Sequence, residues 1–187
     1  MTPSGSERDE TVNYIVEENL HAIGQLIEFL EMLPGNLYRQ SFGQRQQHII
    51  GKHVRHIIDH YSALLAASAA PGTLLDYENR SRDLSLETDR RAGSNRLSEI
   101  LQLLRSGFGA SRAGGLAMLH TSDHQGRIVT TSVDRELAFL ASHTIHHMAI
   151  IGILAEQVEV EVGADFGIHP STRRYLQRQA RGVAESA

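Results

Sequence analysis

The sequence predicts an all-α fold, a single domain over residues 1–187 built as a four-helix bundle with a small β-hairpin before the fourth helix. Three observations predict it. Apolar residues recur at steps of three and four in four long segments separated by Pro-Gly or glycine-rich breaks. One stretch alone, Leu116 to Ser132, changes to a short alternation around a Ser-, Asp- and Gly-containing turn. At 187 residues the chain can bury a core without staples, and it has no cysteine to form any.

The elements follow in order. Residues 1–9 are polar and expected to fray, as are residues 183–187. Val12, Val16, Leu20, Ile23, Leu26, Leu30 and Leu33 then mark one face of a first helix, ended by Pro34-Gly35. A second helix is expected from about Gly43 to Ser68, with Ile50, Val54, Ile57, Ile58, Tyr61, Leu64 and Leu65 as its apolar stripe and Pro71-Gly72 as its stop. Leu74 to Thr88 has no sustained period and reads as a long ordered loop. The third helix is expected from about Glu87 to Arg105, with Leu97, Ile100, Leu101 and Leu104 facing inward and Gly107, Gly109, Gly114 and Gly115 breaking the pattern after it. Ser132 can cap a fourth helix reaching about Val158, with Asp134 and Glu136 in the first turn, where the helix dipole favours negative charge. Pro170 and Ser171 can open a short terminal helix.

Composition excludes some function classes. A net charge of -4 gives no basic footprint for nucleic acid. No secretory signal begins the chain, and no run of roughly 18 uninterrupted apolar residues offers a membrane span. The expectation is a cytoplasmic protein with no nucleic-acid or membrane partner, and with no thiolate of its own for metal binding or catalysis.

What the composition does carry is histidine. Of 11 histidines, six fall in two windows: His53, His56 and His60 in GKHVRHIIDHY, and His143, His146 and His147 in ASHTIHHMAII. His143 and His147 are one helical turn apart, and such a pair can turn two ring nitrogens toward one ion. They are expected at the centre of the buried face of the fourth helix, on a stripe with Glu136, Phe139, Leu140, Ile150 and Leu154, with Thr144 and Met148 turned away. A third ligand must come from another element; packed helices lie about 8–10 Å apart, so the second helix can supply it, and His56 is central in its histidine arc. A core role without metal competes with this. Burying several unpaired rings costs roughly 1–3 kcal/mol each, however, which favours an ion that satisfies them together.

His53 and His60 are additional candidate ligands. His60, His146 and Asp59 are candidate catalytic groups, as hydrogen-bonding partners of the ligands or as proton carriers beside a bound water. Asp59 and Glu136 are the acids placed to orient an imidazole, or else solvated helix carboxylates. Lys52, Arg55 and Ser62 are expected in solvent. Tyr77, Arg80 and Arg82 could clamp an anion at the mouth of the site, but local pairing with Asp76, Glu78 and Asp83 is the favoured expectation. His21, His48, His120, His124 and His169 receive no role.

The order of four helices, the histidine in Arg55-His56-Ile57-Ile58-Asp59 and the pair in His143-Thr-Ile-His146-His147 together resemble the DinB-like superfamily, which includes YfiT-type proteins and thiol-dependent transferases. The resemblance covers most of the chain. It implies up-down-down-up connectivity, a divalent ion on His56, His143 and His147, and a homodimer. The chain departs from the family in having no tryptophan before the first histidine and Met148-Ala149 after the last.

The functional expectation is a metal-dependent enzyme of thiol-dependent transferase or hydrolase type. Its ion is zinc first, with nickel, iron or manganese as alternatives, and an open coordination position receives a small-molecule substrate, a thiol or an anionic compound. The alternative is a non-catalytic, metal-stabilised binding or stress-response protein, in which a fourth protein ligand closes the site.

Overall fold

The computed structural model describes residues 5–70, 72–106, 115–122 and 125–184. Among these the protein is mostly helical, with seven helices and two small antiparallel sheets. The long helices are α1 (Gly5–Met32), α3 (Ile50–Ala69), α5 (Arg90–Arg105) and α6 (Val133–Glu156). They pack as a closed ring in which α1 and α3 each touch both α5 and α6. Single turns α2 (Gly35–Tyr38) and α4 (Ser85–Thr88), hairpins β1–β2 (Ser41–Phe42, His48–Ile49) and β3–β4 (Leu116–Ser122, Gln125–Thr131), and the terminal α7 (Pro170–Ala184) complete it.

Several boundaries differ from expectation for local reasons. α1 already begins at Gly5, inside the stretch expected to fray, and α7 runs to Ala184. Residues 1–4 and 185–187 lie outside the described residues. α3 begins at Ile50 rather than Gly43, because Gly43 (φ 82°) and Gln46 (φ 49°) take left-handed conformations that turn β1 into β2 and cannot continue a helix. α5 starts at Arg90, where the Asp89 carboxylate accepts from the backbone N–H groups of Arg91 at 2.8 Å and Ala92 at 3.3 Å. Before it, the 74–88 segment is irregular through Leu84, as expected of a loop, but ends in the helical turn α4. Leu75 lies parallel to Met118, its N–H donating to Ala117 and its carbonyl accepting from Leu119, both at 2.8 Å. Gly107, Gly109 and Gly114 fall outside the described residues, as does the 123–124 turn of the expected hairpin. Ser132 caps α6 as predicted, accepting from Arg135 N at 3.2 Å.

The buried apolar residues form one contiguous core. α6 is its central element, with Leu137, Leu140, Met148 and Ile151 fully buried, each side chain contributing about 1.5–3 kcal/mol. Among the described residues it is also the one helix long and apolar enough to cross a membrane. Of the face expected to be buried, Glu136, Leu140 and Leu154 are inside, but its centre is displaced. Thr144 and Met148 are inside, at 1% and 0% exposure, while His143 and His147 are half-buried on the rim. α6 is nearly apolar all round, so its sequence pattern could not indicate which arc meets α1. That arc is anchored by a polar knot. Asn19 of α1 donates to the Leu137 carbonyl at 3.0 Å and accepts from the Tyr61 hydroxyl at 2.6 Å, and Thr144 donates to Tyr61 at 3.3 Å. Every polar group in the knot has a partner, and the knot locks α1, α3 and α6 in one register.

Candidate metal centre

Steps of three and four place His53, His56 and His60 along one side of α3, and the α3–α6 contact brings them against His143 and His147. One nitrogen from each of His56, His60 and His143 can be chosen so that all three lie within 4.8 Å of one another. His147 is close as well, its ring centroid 4.6 Å from those of both His56 and His143. Its Nδ1, however, lies 2.9 Å from Nδ1 of His53, so one of those two rings donates to the other. The structure therefore brings together all five histidines of the two helices that were singled out as ligands, with His60 rather than His147 joining His56 and His143 in the triple whose nitrogens lie within 4.8 Å of one another. His146 is exposed and reaches only the edge of His147, at 5.3 Å between centroids.

Hydrogen bonds set the donor atoms. His60 Nδ1 lies 2.8 Å from the His56 carbonyl, which fixes its proton there and leaves the Nε2 lone pair free to accept. Arg80 Nη1 lies 3.1 Å from Nε2, against the ring rather than along that lone pair. Nη1 also lies 2.5 Å from Nδ1, a crowded contact between two N–H groups in this tautomer. His143 Nε2 is buried with no hydrogen-bond partner among the described residues. Burial comes first, and neighbouring imidazoles add to it, in lowering the ring pKa values: His56 to about 2, His147 to about 3, and His143 and His53 downward. His60 falls to about 4, again mainly by burial, against its bond to the His56 carbonyl. The rings are thus neutral near pH 7. Converging neutral imidazole nitrogens, one of them orphaned, fit a divalent ion of the zinc type.

Two walls flank the cluster. Phe139 stacks on His143 with centroids 5.3 Å apart, and Tyr77 on His60 at 5.0 Å. Tyr77 is held by Glu136, a fully buried carboxylate that accepts from its hydroxyl at 2.9 Å, from Thr131 at 2.5 Å and from Arg135 at 2.8 Å. Glu136 therefore orients no imidazole. Nor does Asp59, which is bound to Arg55 at 2.5 Å; Arg55, expected in solvent, is instead held between Asp59 and Glu87, the latter at 2.6 Å. The i, i+4 spacing of Arg55 and Asp59 was a legible signal for the first of these pairs. The 77–83 segment also departs from its favoured reading. Among the described residues Arg80 makes no ion pair with Asp76, Glu78 or Asp83, and it turns instead to His60.

No family model matches the chain. FK506-binding protein 5 of Rhizopus delemar (strain RA 99-880) is 31% identical over 111 residues, which are 57% of this chain and 29% of that protein. This chain thus spans less than a third of its relative's length, and the relative's name describes a much longer protein.

Proposed function

We propose that this chain is a DinB-like, metal-dependent enzyme, a four-helix bundle of up-down-down-up connectivity that binds one divalent ion, zinc first, between α3 and α6. The observation that carries the proposal is the convergence of His56, His60 and His143, with nitrogens within 4.8 Å of one another and His143 Nε2 buried without a partner. When bound, a divalent ion supplies Lewis acidity toward a carbonyl and lowers the pKa of a bound water or thiol. In this reading His56, His60 and His143 hold the ion, the His56 carbonyl orients the His60 ring, and Tyr77 and Phe139 exclude water from one side. The reaction class is thiol-dependent transfer or hydrolysis of a small molecule, by a cytoplasmic homodimer.

A second reading, a closed and non-catalytic metal site, is favoured by His147, whose ring lies 4.6 Å from two of the three ligands and could complete a tetrahedron. Metal analysis of tag-free protein tests the first step. The expected result is one divalent ion per chain, lost in His56→Ala and His143→Ala. Wild-type protein that stays metal-free after metal-replete growth and zinc dialysis overturns the proposal. Azide added to cobalt-substituted protein then separates the readings: a perturbed visible spectrum means an open position, and an unchanged one a site closed by His147.

A further inference from the structure

A cavity of about 750 Å³ lies beside the histidine cluster rather than over it, between α3 and the 73–83 segment. Ser62, Ala63, Asp76, Arg80, Asp83 and Arg96 are among its lining residues. Arg80 belongs to both places, since it lines the cavity and its Nη1 also packs against the His60 ring, 2.5 Å from Nδ1 and 3.1 Å from Nε2. Its Nε is buried and has no hydrogen-bond partner, and the guanidinium makes no ion pair among the described residues. The other lining cation is already engaged, Arg96 being bonded to Glu99 at 2.7 Å and to Ser62 at 3.3 Å. Arg80 is a half-buried cation with a buried, unpartnered Nε and no ion pair among the described residues, an arrangement that a planar carboxylate would satisfy through two parallel N–H bonds.

The acids of the same wall limit what that carboxylate can be attached to. Asp59 is neutralised by Arg55 at 2.5 Å. Asp76 uses Oδ1 to accept the backbone N–H groups of Glu78 and Asn79, and exposed Asp83 accepts from both the backbone N–H and the side chain of Ser85. A dianion would bring a second negative charge to these carboxylates, and a dication would leave Arg80 uncompensated. We propose that the cavity binds a small zwitterion, its carboxylate on Arg80 and its ammonium at Asp76 and Asp83. This deepens the metal-enzyme reading, on which it rests, by naming the substrate class.

Isothermal titration of the full chain, zinc-free and zinc-loaded, with alanylalanine, succinate and putrescine tests this. Alanylalanine is expected to bind saturably even without zinc, and succinate and putrescine at least about tenfold more weakly, the difference a charge-assisted hydrogen bond makes. Arg80→Gln should lose a similar factor for alanylalanine while keeping wild-type zinc stoichiometry. Ala63→Phe, which fills the cavity without altering a charge, should lose binding too. No alanylalanine binding at millimolar concentration, equal binding of succinate, or unchanged affinity in Arg80→Gln overturns the inference. Failure to take up zinc defeats only the metal reading, because the zinc-free titration decides the cavity by itself.

Discussion

His143→Leu is expected to move the stability of the zinc-free and zinc-loaded protein in opposite directions. In the free protein, Nε2 of His143 is buried without a partner, an arrangement that costs about 1–3 kcal/mol. Leucine removes that nitrogen and keeps an apolar body against Phe139, whose ring centroid lies 5.3 Å from that of the histidine. Because the His143 side chain is only half-buried, the gain should lie near the lower end, about 1 kcal/mol. With zinc the sign reverses. At a thousand times its dissociation constant, an ion that binds only the folded state adds about 4 kcal/mol, and a variant missing one of three ligands forfeits most of this. For a chain of this size that amounts to roughly 10 °C in melting temperature. Urea unfolding followed by circular dichroism, once in chelator and once in buffered zinc, measures both quantities. If the variant is less stable than wild type in chelator by more than about 1 kcal/mol, Nε2 has a partner in solution and the orphan argument fails. If zinc stabilises both proteins equally, the ion binds elsewhere.

Other consequences are checked as directly. Tyr77→Phe leaves buried Glu136 without its 2.9 Å donor and should destabilise by about 1.5–3 kcal/mol in urea unfolding; a change below about 0.5 kcal/mol would mean that water replaces the hydroxyl. Gly51→Ala would put a Cβ 2.1 Å from the Glu87 carbonyl oxygen, so α4 must shift and loosen the Arg55–Glu87 pair, for an expected loss of about 1–3 kcal/mol in the same assay. For pH, the histidines of the cluster bind protons less readily folded than unfolded. Metal-free stability should therefore be complete above their unfolded value of 6.5 and fall as pH drops through it toward the folded values of about 4 for His60, 3 for His147 and 2 for His56. Urea midpoints from pH 8 to 4 should decline below 6.5, and a flat profile would show that the rings stay solvated. His146→Ala, at an exposed position, should change neither zinc stoichiometry nor melting temperature.

The sequence was most legible where the physics is local. The Ser132 cap, the break at Pro34 and the inward face of Leu97, Ile100, Leu101 and Leu104 each depend on residues within a turn or two, and each appears where expected. The histidine grouping was legible too, because spacings of three and four fix which residues share a helix side. Arg80 and Tyr77 were misread because local acids looked like sufficient partners. Their contacts are instead His60, 20 residues away, and Glu136, 59 residues away, and nothing in a single sequence reports such distances. The β1–β2 turn was missed because its second left-handed residue is Gln46, a residue type that gives no warning of that conformation.

The misplaced centre of α6 bears on how the site works. Had His143 and His147 stood in the middle of the buried face, each substitution there would have disturbed the core. In the structure α6 divides its duties. The arc with Thr144, Met148 and Ile151 carries the packing and the Asn19–Tyr61 knot, while the neighbouring arc carries half-buried histidines toward α3. Half-buried side chains on the rim can be exchanged at little expense to folding. The same placement makes the histidine variants interpretable. His56→Ala and His143→Ala should stay folded in the absence of metal, so loss of zinc in either one reports on the site itself.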